Sequence, residues 1–179
     1  ERERERAHLD GVVDGAARRK VRDEAALTRL GREPKPRAHE LVRRRRARPA
    51  IAAFEALASA EPRNPVYAAY LGSALSMRAR DAWMPWNKLR YTEQGLDHID
   101  RALESLRPEH DKLLLRGIPA SIETRLVAAR TFVKLPDPIF HRRTAGKKLL
   151  ADLLKHPALA STPAAFRTAV QSAAEEAGK

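Results

Sequence analysis

Apolar residues recur along this chain at the three-and-four spacing of a helix, and no stretch alternates at the period of two that marks a half-buried strand. The pattern predicts helices over roughly 49–60, 66–82, 92–107 and 142–155, a less regular stretch over 112–133, and a last amphipathic helix over about 163–176. In the third of these, Leu96, Ile99, Leu103 and Leu106 fall at offsets 0, 3, 7 and 10, a stripe along one face. Leu114, Ile118, Ile122 and Leu126 repeat every four residues, but Pro119 interrupts them, so a kink or two shorter helices is expected there. Upstream the pattern thins. Residues 1–30 favour helix with sparse apolar positions, and the opening Glu-Arg-Glu-Arg-Glu-Arg cannot bury a face, so it reads as a solvated helix end or a disordered arm. Gly31-Arg32-Glu33-Pro34-Lys35-Pro36 breaks that helix.

The helix ends share a motif. Ala50, Phe54 and Pro62 sit at offsets 0, 4 and 12; Ala145, Leu149 and Pro157 reproduce them, and Gly95, Ile99 and Pro108 match with one residue more before the proline. A small residue lets a neighbouring helix approach, a large one a turn later fills the gap, and proline stops the helix. An apolar segment with a glycine follows two of the stops: Ala68, Leu71 and Gly72 after Pro62, and Leu113, Arg116 and Gly117 after Pro108.

Ala50, Phe54, Leu57 and Pro62, with Leu71-Gly72, resemble the second-helix and first-helix signatures of the tetratricopeptide repeat (TPR) family. The resemblance covers about 49–157. It implies an all-α fold of antiparallel helical hairpins, an α-solenoid, whose concave groove recognises a protein or peptide, with no enzymatic activity and no cofactor. The spacings of 45 and 50 residues between the small positions exceed the family's usual length of about 34, which implies irregular repeats with longer first helices or insertions. A non-repeat helical bundle is the alternative fold. The segment Arg80 to Tyr91, followed by Gly95-Leu96, is similar to a narrower bacterial TPR-like group with an Arg-Asp-Ala-Trp element, here Arg80-Asp81-Ala82-Trp83, some of whose members are encoded beside ABC-type export systems.

Composition narrows the chemistry. The chain has 179 residues, 35 Lys+Arg against 23 Asp+Glu, and a net charge of +12. Of that charge, +7 lies in residues 1–50, so the basicity is mainly an N-terminal property. No cysteine is present, which excludes disulfide scaffolds, thiolate metal sites and cysteine nucleophiles. No apolar run reaches the ~18 residues a membrane span needs. The chain opens on Glu1 without a signal-peptide pattern, so the compartment, bacterial cytoplasm or periplasm, stays open, as does the oligomeric state. Phosphate-loop, dinucleotide, His-Glu-x-x-His and nucleophile-elbow signatures are lacking, and the reading is non-enzymatic.

Two segments carry candidate chemistry. Both tryptophans fall in residues 80–91, where Arg80, Trp83, Trp86, Lys88, Arg90 and Tyr91 combine aromatic contact area with cations, a set suited to an acidic partner. The competing and favoured reading has Trp83 and Trp86 plugging a gap between hairpins, and both hold if one indole turns inward. Arg43, Arg44, Arg45, Arg46 and Arg48 place five cations in six residues, an anion or nucleic-acid patch. Without interleaved aromatics to stack on bases, the run also reads as a solvated face. Because cations oppose the positive end of a helix dipole, it is expected in a linker or at the end of a preceding helix. His141-Arg142-Arg143 is a lesser anion patch or a solvated first turn. Glu93, Asp97 and Asp100 face solvent or pair with Arg90 and Arg101 rather than hold a metal.

The expected organisation is therefore a basic helical arm with a proline-containing linker over 1–48, then a TPR-like repeat domain over 49–179 closed by a C-terminal capping helix. The expected function is an adaptor or scaffold for an acidic protein or peptide partner. The alternative is a basic structural subunit of a larger assembly, with or without nucleic acid, anchored by the arm.

Overall fold

Proline sets the helix boundaries in this protein, described over residues 38–179 by a computed structural model. The helix and break read over residues 1–36 lie outside the described residues. Helix α1 (Ala38–Ala60) ends just before Pro62. Helices α2 (Pro65–Arg80) and α3 (Pro85–Glu104) each open on a proline, whose missing N–H is no loss in a first turn. Asn64 caps α2, its side chain accepting the Val66 N–H at 3.2 Å. Pro108–Asp111 and Pro157–Ser161 form 3-10 turns after the helices that the motif prolines were expected to stop. Then follow α4 (Ala120–Phe132), the single turn α5 (Asp137–Phe140), α6 (Arg143–Leu154) and α7 (Ala164–Gly178). The described chain is all-α apart from one small hairpin.

Several boundaries differ from expectation. Helix α1 runs through Pro49, so the boundary drawn between residues 48 and 49 falls inside it, and Arg43 to Arg48 belong to a helix rather than a linker. Arginine is a good helix former and favours continuation, although Pro49 removes one backbone bond and crowds the preceding turn. The side chains of Arg43, Arg44, Arg45 and Arg46, on which the anion-patch reading rests, lie outside the described ones; Arg48 is exposed. Helix α3 begins two turns before the expected position, so residues 85–91 are helix and not an insertion.

The region around Pro119 also differs. Leu114–Leu115 pairs antiparallel with Ile118–Pro119, and Arg116 (φ 53°) and Gly117 (φ 78°) make the turn between them. Two successive positive φ values are the signature of the tight hairpin turn whose twist matches the strands. Gly117 is therefore a turn glycine, not the equivalent of the helical Gly72.

Gly72 and Gly95 are where α2 and α3 cross. A Cβ on Gly72 would stand 2.4 Å from the Gly95 carbonyl oxygen, and one on Gly95 would stand 2.6 Å from that of Gly72. The four-residue connection makes the two helices antiparallel neighbours. Further along, α6 packs against α4 through Gly146, whose Cβ would meet Val133, Phe132 and the Ala129 carbonyl within 3.1 Å. The buried small residue is thus Gly146, whereas Ala145, the position the motif selects, is exposed. Helix α2 packs on α4 as well as on α3, and α7 packs on α6. Ile51 meets Leu71, Ala74 and Leu75; Leu96 and Ile99 meet Ala128 and Phe132; Ile122, Leu126 and Leu150 join Phe166 and Val170 of the last helix.

Polar groups tie the connections to this frame. The buried His110 ring accepts the Arg107 N–H at Nδ1 (2.9 Å), leaving Nε2–H to donate to the Arg63 carbonyl (3.2 Å). Asp100 accepts both ends of the Arg142 guanidinium at 3.1 and 2.6 Å. Its partner is therefore Arg142, from 42 residues away, and not Arg101. That pairing, with the guanidinium 5.3 Å from the centre of the Phe132 ring, gives Arg142 a structural role instead of a place in a surface anion patch.

His98 on α3 supplies a pH test. Burial, and then Arg101, lower its pKa below 6.5, while Asp97 and Glu55 act in the opposite direction. Above 6.5 the ring is neutral in both folded and unfolded chains. As pH falls from 6.5 towards the depressed folded value, the unfolded chain binds the proton first, so stability is lost on acidification. In urea unfolding between pH 7.5 and 5, His98→Gln is expected to lose less stability than the wild-type protein; equal losses would remove His98 from the account.

Candidate functional site

The corner where α2 meets α3, from Arg80 to Arg90, exposes five of the six partner-binding candidates. Arg80 ends α2, its Nε 3.8 Å from the carboxylate of the nearly buried Asp81. Trp83 lies in the connection and Trp86 in the first turn of α3; their relative exposures are 57% and 64%. At that exposure the indoles do not plug a gap between hairpins, the role expected for them. Trp86, Leu89 and Arg90, at i, i+3 and i+4, share the outer face of α3. Leu89 is exposed, as are Lys88 and Arg90, and Met77 on α2 is a further exposed apolar residue near the corner in sequence.

Tyr91, the sixth, is half-buried and engaged within the chain. The Arg78 guanidinium lies 4.1 Å from its ring centre and that of Arg90 5.0 Å, with Arg90 Nη2 also 3.3 Å from the phenol oxygen. These cation–ring contacts hold two arginines against Tyr91. Residues 77–92 contain Arg78, Arg80, Lys88 and Arg90 against Asp81 alone, a net of +3. The corner thus combines two exposed indoles with the exposed Leu89 and a net positive segment.

A second cluster escaped the sequence reading. Glu123, in the first turn of α4, is only 2% exposed. Its Oε1 accepts the Tyr70 hydroxyl and Arg116 Nη2, both at 2.7 Å. Tyr70, on α2, stacks on Phe54 of α1 with ring centres 5.0 Å apart and planes 8° from parallel. Burial, then the Glu123 carboxylate, push the Tyr70 phenol above 10.0, and the same carboxylate raises the pKa of the Arg116 guanidinium. The only available signal was an acidic residue beside Ile122 inside an apolar stretch, and most such residues face water.

Among the described residues no group of three or more His, Cys, Asp or Glu is gathered as a metal site would need, and no helix is long and apolar enough to cross a membrane. Comparison with protein-family models, curated proteins and solved structures gives no match.

Proposed function

We propose that this chain is a non-enzymatic, TPR-like adaptor that holds an acidic segment of a protein or peptide partner at the α2–α3 corner. The observation that carries the reading is the exposure of both tryptophans in a segment whose Arg80, Lys88 and Arg90 are exposed as well. Large indoles left in water forgo about 25 cal/mol for each Å2 they would bury, and such rings anchor interfaces when a partner covers them. Arg80, Lys88 and Arg90 select for carboxylates around that anchor. The hairpin of α2 and α3 through Gly72 and Gly95, followed by the packing of α2 on α4, supports the repeat reading.

The two tryptophans are the only ones in the chain, so intrinsic fluorescence reads this corner alone. In the free protein their emission is expected to be solvent-like and readily quenched by acrylamide. A synthetic peptide with Leu and Phe among Glu and Asp should shift the emission to the blue and reduce quenching, saturably. Three exposed ion pairs at about 0.5 kcal/mol each correspond to roughly tenfold in affinity between low and physiological salt. A peptide that leaves the emission unchanged at low salt, or binds equally when its acids are replaced by glutamine, contradicts the proposal.

A further inference from the structure

Glu123 is an unusual carboxylate. Two donors converge on one of its oxygens, while the other, Oε2, is buried without a hydrogen-bond partner. An ionised carboxylate offers about four acceptor positions, and leaving one oxygen unpaired away from water is unfavourable. The group that neutralises it is held loosely. Arg116 is 73% exposed, and one of its five N–H groups bonds the carboxylate. It projects from the hairpin turn at φ 53°, a left-handed conformation unfavourable for a residue with a side chain. Tyr70 and Phe54, each half-buried, supply aromatic surface beside the acid.

We infer that Glu123, with Tyr70 beside it, forms a binding subsite for an alkyl cation, a guanidinium or primary ammonium, in which Arg116 is the chain's own placeholder. An incoming cation displaces the exposed Arg116 guanidinium from Oε1 and lies against the Tyr70–Phe54 pair. The displaced arginine moves into water, where it is already mostly exposed, and its turn is relieved of holding one fixed side-chain position. The subsite is independent of the tryptophan corner. Its cation comes either from a basic side chain of a partner or from a free polyamine, which share the recognised chemistry.

Titration of the full chain, followed by NMR at the Tyr70 ring and the Glu123 amide, tests this with Nα-acetyl-arginine amide and with spermidine as probes. Because a tethered side chain competes at an effective concentration in the millimolar range, Arg116→Ala should bind the preferred probe about tenfold more tightly than the wild-type chain. Arg116→Ala combined with Glu123→Gln should bind neither. Preference for the blocked arginine assigns a partner's side chain, and preference for spermidine assigns a free polyamine. Identical weak responses in the single and double variants, or no tightening in Arg116→Ala, overturn the inference. Arg116→Gln provides the same comparison if circular dichroism shows the alanine variant unfolded.

Discussion

Trp83→Ala together with Trp86→Ala is expected to weaken binding of an acidic partner peptide by about a hundredfold, close to 3 kcal/mol, with little change in stability. The asymmetry follows from exposure. At 57% and 64% exposed, these indoles touch too little of their own chain for their removal to open a cavity, so unfolding free energy should change by no more than about 0.5 kcal/mol. In a complex the same rings become the buried centre, where a few aromatic anchors dominate affinity. Fluorescence polarisation with a labelled peptide, alongside urea unfolding of the same variant, separates the two quantities. If binding persists in a folded double variant, the corner is not the anchor. If the variant is strongly destabilised, the indoles are part of the core.

Gly72→Leu reverses the pattern, with a large loss of stability. Even a Cβ would come within 2.4 Å of the Gly95 carbonyl oxygen, and Ile99 Cγ1 would be 2.7 Å away. The first obstacle is backbone, which cannot rotate aside, so the helices must separate and expose Leu96, Ile99 and their partners on α4. The expected loss is about 3 kcal/mol or more, at the upper end of overpacking effects, and an unfolding midpoint lower by about 10 °C. Gly95→Leu should behave similarly, since its Cβ meets the Gly72 carbonyl at 2.6 Å. Differential scanning calorimetry checks both. A midpoint within a degree or two of wild type would show that α2 and α3 do not cross at these glycines.

The contrast between these sites explains what was legible in the sequence. The stripe of Leu96 and Ile99 was readable because a helix half-buried along its length imposes its period on composition. Proline at 62, 108 and 157 marked helix ends because its covalent constraint is local. The hairpin at residues 114–119 left no such trace. A two-residue ladder is too short for alternation to register, and its Leu and Ile continue the helical spacing by coincidence. Ala145 and Gly146 are both small and adjacent, so the motif could not tell which faces α4; only the packing against Phe132 and Val133 decides. The unusual composition of residues 80–91 marked the corner, but not its exposure, because tryptophan suits a core and an interface equally well. Glu123 stayed hidden because its partners lie 53 and 7 residues away, and only the tertiary fold makes them neighbours.

The crossing of α2 and α3 also bears on how fast a partner arrives and leaves. From Gly95 back to Pro85 is ten residues of helix, about 15 Å, so Trp86 stands near the end of a lever pinned at a backbone-to-backbone contact. Trp86, fixed in this way on a helix, has no loop to reorganise before docking. The association rate should then follow diffusion and charge steering, rising as ionic strength falls, while differences among peptide sequences show up in residence time.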